Sequence, residues 1–250
     1  DLTNIYYAKE LPSYLKHRHL KHVWQEFINR PADQQLLEEV ATFSAQWFQP
    51  EKNVSYSHIE RELDKIAQLI MEDLKRVNPI HPIFSASCEQ FSFRKYHTVE
   101  ENHWDKSDGI QILDSLRKIF FSELNFRAAA YDNPKFFREY LLINYVLEEK
   151  VGKAIMLAIM FQSVARRLDI RCDLLSFPVT IASSWSQTYL LLKWQSKWNL
   201  DPDESEECYY IDVLRGETVL DNNRIWELVE PIISSDRYCR IDTFEVIIRV

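Results

Sequence analysis

The sequence predicts an α+β protein, and three observations carry that prediction. Helical periodicity fills the first third of the chain, one later segment (153–168) is apolar on every side for two turns, and short β-patterned runs follow it. A helix that is apolar all round is a buried one, so 153–168 is the expected centre, packed against a small antiparallel sheet.

The elements follow in order. A first helix is expected from about Thr3 to Asn29, with Ile5, Leu11, Leu15, Leu20, Val23, Trp24 and Phe27 near one stripe and a bend at Pro12. Pro31 restarts the chain into a second, where Leu36, Leu37, Val40, Phe43, Trp47 and Phe48 are apolar, ending before Pro50. Ser55 or Ser57 caps a third, which carries Ile59, Leu63, Ile66, Leu69, Ile70 and Leu74 and is closed by Pro79 and Pro82. Residues 1–83 thus read as a helical region with a core of its own. Residues 84–106 mix polar and aromatic side chains without a period and read as a connector with one short strand at 90–95.

Residues 107–250 form the second unit. Ile110 to Leu124 is an amphipathic helix, and Asn133-Pro134 opens another that ends at Gly152. The buried segment becomes one-sided only at its end, where Arg166 and Arg167 are expected to be exposed. Strands are expected at Arg171 to Phe177, Thr188 to Trp194 and Cys208 to Leu214, the unbroken Leu190-Leu191-Leu192 run suiting a strand covered on both faces. A last helix, Asn222 to Ile233, precedes an apolar pattern at 244–250 that stops as though cut. Asp1 stands where an initiator Met would, so the sequence reads as an excised fragment.

Composition narrows the function. A chain of 250 residues with 46% hydrophobic content buries one large core or two modest ones. Its net charge of -8 disfavours a nucleic-acid backbone or an anionic membrane as main partner, since both reward basic patches. The longest apolar run, Ala154 to Phe161, is too short to span a bilayer. Four widely spaced cysteines (Cys88, Cys172, Cys208, Cys239) form no C-x-x-C pair and read as reduced thiols of an intracellular protein, cytoplasmic or nuclear. No metal and no cofactor is expected. His19 and His22 share a helix face near His17 but lack further ligands, and the acidic run Asp201, Asp203, Glu204, Glu206, Glu207 lacks the glycine and spacing of a calcium loop.

All seven histidines precede Trp104. A thiol or hydroxyl nucleophile depends on a nearby imidazole to take its proton, so a core without histidine forgoes that chemistry or borrows the base. Cys172 and Cys208, on neighbouring expected strands and without a cationic partner, read as inert core thiols. Trp185, Tyr189, Trp194 and Trp198 surround an inserted-looking segment, 179–187, and are the candidate partner-binding residues, since rigid aromatics anchor interfaces. The competing reading places these tryptophans in the core.

The buried helix, the strands after it and the closing Tyr210-Ile211-Asp212 resemble the SirB-one-type branch of the transglutaminase-like fold, and more closely the F-box-only protein twenty-one family. The matching stretches are Leu124-Asn125-Phe126, 146–152, the Ser163 to Ile170 turn, Ser176-Phe177-Pro178 and Leu190 to Trp194. Upstream, Tyr6 to Lys9, Leu63 to Val77 and His81-Pro82 are also similar. The resemblance implies a nucleophile at the start of the buried helix, where the helix dipole favours a thiolate, with a histidine and an acid from the following strands. Here the nucleophile position is Met156, the histidine position is Tyr189 or Thr180, and only Asp212 is kept. Asp212 then reads either as a leftover acid or as a residue that caps a turn or pairs with Arg215.

The expectation is a catalytically degenerate core that works as a non-catalytic protein-interaction module. Family membership implies a substrate receptor of a Skp1-cullin-F-box ubiquitin ligase that holds a protein target, with Skp1 bound through a region outside these residues. Two alternatives stand beside it: a scaffold bridging partners outside the ligase system, and a hydrolase or transferase with an unrecognised centre.

Overall fold

The structure is a computed structural model that describes residues 2–129, 138–179, 187–196, 208–216, 219–221 and 239–240. Helix α1 (Leu2–Ile28) runs through Pro12, and α2 (Leu37–Phe48) follows a 3-10 turn at Ala32–Gln34. Helix α3 (Tyr56–Val77) starts at Ser55, whose hydroxyl meets Ser57 rather than capping the backbone. Then come α4 (Cys88–Tyr96), α5 (Lys106–Arg117), α6 (Ile143–Glu149) and α7 (Ala154–Arg167).

Strands β1 (Arg127–Ala128) and β2 (Val151–Gly152) form a parallel pair. The main sheet is antiparallel in the order β6-β5-β4-β3-β7, from β3 (Asp173–Val179), β4 (Gln187–Gln195), β5 (Cys208–Ile211), β6 (Val219–Asp221) and β7 (Cys239–Arg240). The α+β expectation holds, with α7 packed on β3 and β4. Register explains the leucine run: Leu174 pairs with Leu192 on the face joined to the central core, Leu175 with Leu191 on the other, and all four are buried. The helix expected at 222–233, the pattern at 244–250 and the opening at Asn133-Pro134 lie outside the described residues.

Three sequence expectations are corrected. The short strand at 90–95 is helix α4, started by a capping box in which Ser87 Oγ accepts from Gln90 N–H (3.2 Å) and the Gln90 side chain accepts from Ser87 N–H (2.9 Å). The first helices have no separate core, because Phe27, Val40, Ile59, Leu63 and Ile70 belong to one hydrophobic cluster with α7 and the sheet. Arg166 and Arg167 are buried rather than exposed.

The last correction has an electrostatic cause. Glu38, 0% exposed in the first turn of α2, takes both guanidinium groups: Arg167 Nη1 and Nη2 donate to its two oxygens at 2.8 Å, and Arg166 Nη2 pairs at 3.0 Å. Arg167 Nε also donates to Asp64 (2.8 Å), while Arg166 Nη1 donates to the carbonyls of Arg94 and Lys95 in the last turn of α4. Those carbonyls have no partner within their helix, so Arg166 completes the α4 C-terminus while it neutralises Glu38. Burial alone pushes the Glu38 carboxyl up. Arg166 and Arg167, with the hydrogen bonds from Arg167 and Ser163, outweigh it and hold the pKa down to about 2.

Helix α7 ends in a backbone motif that positions this chemistry. Asp169 sits in the left-handed region (φ 62°), its N–H bonded to Arg166 O, while Ile170 N–H reaches Ala165 O, both at 3.0 Å. The Asp169 carboxylate pairs with Arg94 at 2.8 Å, and its carbonyl accepts from Trp104 Nε1 at 3.0 Å. Residues 97–105 are stitched down as well. Thr98 N–H donates to Asp33 O, and Asn102 Nδ2 donates to the Gln195 carbonyl while its Oδ1 accepts from Arg171 N–H.

Glu38→Ala leaves two buried guanidiniums without their carboxylate and is expected to cost about 3–5 kcal/mol, read as a lowered urea midpoint. Because the folded-state pKa lies below the unfolded value, the carboxylate's stabilisation is complete above the unfolded value and is lost as pH falls towards about 2. The stability difference between the native chain and Glu38→Gln should therefore shrink as the pH of the urea melts is lowered from 6 to 3, and a constant difference would contradict the assignment.

Candidate functional site

The first turn of α7 is where the resemblance places a nucleophile. It is built by the chain that precedes it. Lys150 leaves α6 in the left-handed region (φ 61°), and β2 pairs with β1 through Arg127 N–H to Lys150 O and Ala129 N–H to Gly152 O, both 2.9 Å. A Cβ at Gly152 would stand 2.8 Å from Val146 Cγ1, so only glycine lets the backbone pass α6 this closely. Lys153 caps the helix through its carbonyl, which accepts from Met156 N–H (2.9 Å) and Leu157 N–H (3.1 Å).

The side chains that follow are Ile155, Met156 and Leu157, all buried, with Met156 at 0% exposure inside the hydrophobic cluster. A thioether has no proton to give and is a poor acceptor, and this environment is apolar. The one ionisable group at the turn is Lys153, whose ammonium burial pushes below its ordinary value.

Tyr189 lies on β4 opposite Phe177 in the register. Asp212 follows β5 and is buried, but it is engaged with its own turn. Its Oδ1 accepts from Leu214 N–H (2.9 Å) and Arg215 N–H (3.4 Å), its carbonyl accepts from Gly216 N–H (2.8 Å), and Oδ2 stands 3.6 Å from Arg215 Nε. This is the turn-capping geometry of an Asp at a strand end.

Cys172 and Cys208 are free and buried, and burial, with the Asp173 carboxylate nearby, pushes the Cys172 thiol far above its ordinary range. Among the described residues no group of three or more His, Cys, Asp or Glu is placed to hold a metal ion. His17 Nε2 meets the Trp47 carbonyl at 2.9 Å, and His22 faces Glu26 at 3.4 Å.

Imidazoles do approach α7, but at its other end. His97 and His103 line a cavity of about 870 Å³ with Arg94 and Asp169, one helix length (about 20 Å) from Met156. Burial raises the Asp169 pKa, with Arg94 and His103 opposing. His81 is used for structure: its Nδ1 accepts from Ile83 N–H (3.1 Å), so Nε2 carries the proton and donates to Asp108 O (3.2 Å).

Of the candidate partner-binding residues, Trp185 and Trp198 lie outside the described residues. Trp194 is corrected from surface to core: it is 0% exposed and packs against Gly109 of α5, where an added Cβ would lie 2.2 Å from its ring carbon Cζ2. Gly109 stands one residue before the helix expected from Ile110 but lies inside α5, where the missing Cβ admits the ring. Reading residues by type missed Glu38, Asp64 and Asp169. The helix that carries Arg94 was missed as well, although Ser87 and Gln90 have the spacing of a capping box.

A family model described as the transglutaminase-like superfamily matches residues 57–247. The chain belongs to that superfamily. It is also 23% identical over 186 residues to F-box only protein 21 of Homo sapiens, and equally to those of Pongo abelii and Mus musculus. The alignment covers 74% of this chain and 28% of each relative, so the chain spans well under a third of their length. These matches support the resemblance read from the motifs. No solved structure matches. One stretch that carried the resemblance has a visible backbone role: Asn125 in Leu124-Asn125-Phe126 adopts φ 57° and turns Phe126 onto Phe120, with ring centroids 4.3 Å apart.

Gly109→Ala is expected to cost about 1–3 kcal/mol or more by overpacking, and Trp194→Phe, which removes the ring atoms in the way, should recover part of that loss in a double-mutant cycle followed by thermal melting. Treated with iodoacetamide at pH 8 and mapped by mass spectrometry, Cys172 and Cys208 should be labelled only after denaturation.

Proposed function

We propose that this chain is a non-catalytic protein-interaction module, and that it serves in a substrate receptor of a Skp1-cullin-F-box ubiquitin ligase. The observation that carries the first part is Met156. In this reading Met156 stands where the resemblance expects a nucleophile on the buried helix, and it is an apolar, fully buried thioether. The imidazoles that line a cavity do so at the far end of α7, and Asp212 is engaged with its own turn.

Similarity to F-box only protein 21 supports the second part. In this reading Skp1 binds elsewhere in the natural polypeptide, these residues hold a protein target, and the ligase chemistry belongs to other subunits. The setting is intracellular, in cytoplasm or nucleus. No described helix is long and apolar enough to cross a membrane. The 179–187 segment, with Trp185, Tyr189 and Trp198 about it, stays the proposed target-gripping element.

Two measurements test the proposal. Incubated with a glutamine-donor peptide and a fluorescent amine, or with an activated ester, the purified chain is expected to show no turnover above buffer and no acylated species by mass spectrometry. Turnover abolished by replacing one side chain in 107–250 would overturn the non-catalytic reading. The whole natural polypeptide should co-purify with Skp1 while the 250-residue chain does not, and failure of the whole polypeptide to do so would remove the ligase assignment alone.

A further inference from the structure

A groove between α1 and α2 is built for an occupant. Leu20, Trp24, Val40 and Phe43 make its floor, Trp47 and Phe48 its open wall, and it encloses about 360 Å³. Its aromatic framework is fixed: Trp24 and Phe43 meet edge to face at 5.5 Å, and Phe27 packs against both. Trp47 and Phe48 remain 39% and 43% exposed, and Tyr14, on the same side of α1 as His17 and Lys21, is 62% exposed. Large aromatics held rigidly in a concave apolar surface anchor a partner's side chains at little entropic cost.

Charge decides which partner. Among the described residues no carboxylate lines the groove. Lys21 Nζ lies 5.9 Å from the centroid of the Trp47 ring and the Arg138 guanidinium 5.8 Å from that of Phe48, so both exposed rings carry a cation. Residues 11–25 hold Lys16, Arg18 and Lys21, with His17, His19 and His22, and not one Asp or Glu, on a chain of net charge -8. Two cations, Lys21 and Arg138, at the edge of an apolar groove on an acidic protein make that edge complementary to an acidic ligand. The groove is walled by two helices and concave, which suits side chains of a helix laid along it better than a flat bilayer.

We propose that the α1–α2 groove docks an acidic amphipathic helix of a partner protein, its apolar face on Trp24, Phe43, Trp47 and Phe48 and its carboxylates towards Lys21 and Arg138. The proposal does not rest on the ligase reading or on catalytic inactivity, since a scaffold or an enzyme could use the same groove.

The test uses two synthetic helical peptides of about 18 residues that share leucine and phenylalanine at i, i+3, i+4 and i+7 spacing, one with glutamate and one with lysine at the remaining positions. In fluorescence-anisotropy titrations the full chain is expected to bind the glutamate peptide at least about tenfold more tightly than the lysine peptide. Trp47→Ala should weaken that binding about tenfold. Lys21→Glu, at an exposed position where folding is not at stake, should weaken the glutamate peptide and narrow its advantage, and raising salt from about 50 to about 500 mM should do the same. Equal binding of the two peptides, binding of neither, or binding untouched by both substitutions overturns the proposal. So does uptake by phosphatidylserine vesicles that requires Trp47, which would assign the groove to a membrane. A Trp47-dependent dimer in sedimentation that excludes the glutamate peptide would assign it to a second copy of the chain and equally overturn it.

Discussion

The carboxylate of Glu38 and the two guanidiniums of Arg166 and Arg167 form the contact on which the packing of this protein turns. Three charged groups removed from water are tolerated only where each is paired and hydrogen-bonded. The chain meets that demand by bringing α2, α3, α4 and the end of α7 to one point. Glu38 comes from α2, Asp64 from α3, the accepting carbonyls of Arg94 and Lys95 from α4, and the cations from α7. Apolar contact is non-directional, so leucine stripes alone bury a helix without fixing which neighbour it meets. The ion network supplies the direction. Tyr56, whose hydroxyl donates to Glu38 at 3.2 Å, adds a further tie from the start of α3, and burial together with Glu38 pushes its phenol well above the ordinary range.

Helix α7 therefore has two ends of opposite character. Its C-terminal end is ionic, closed by a left-handed Asp169 that pairs with Arg94 and ties down Trp104. Its N-terminal end is apolar and closed, with Ile155, Met156 and Leu157 all buried. The backbone devices that aim such a helix are present: the parallel β1–β2 pair, the left-handed Lys150 and the close approach at Gly152. In the proposed reading the scaffold is kept for its shape, and the groups that once had to move protons are replaced by groups that pack or hold turns. The Asp212 carboxylate closes the turn after β5.

Exposed aromatic surface lies away from that helix, between α1 and α2. The two regions differ in what surrounds them: Trp194 is shielded by α5 and the sheet, whereas Trp47 and Phe48 are open and flanked by cations. A tryptophan in a strand faces either a core or solvent, and only the packing partner decides which.

The sequence by itself determined the α+β class, the helical periods, the buried character of 153–168 and the two-sided burial of the leucine run, because each follows from the local spacing of apolar residues. It also placed a methionine, Met156, in the first turn of that buried segment. Tertiary structure alone decided the rest. Arg166 and Arg167 read as exposed because two cations ending an apolar helix ordinarily face water; Glu38, 129 residues from Arg167 in sequence, removes that need. Residues 84–106 read as a connector because α4 has little apolar periodicity of its own. It is held instead by a capping box at its start and by Arg166 at its end. Long-range charge pairing leaves no periodic trace along a chain, so such contacts become visible only when folding brings the partners together.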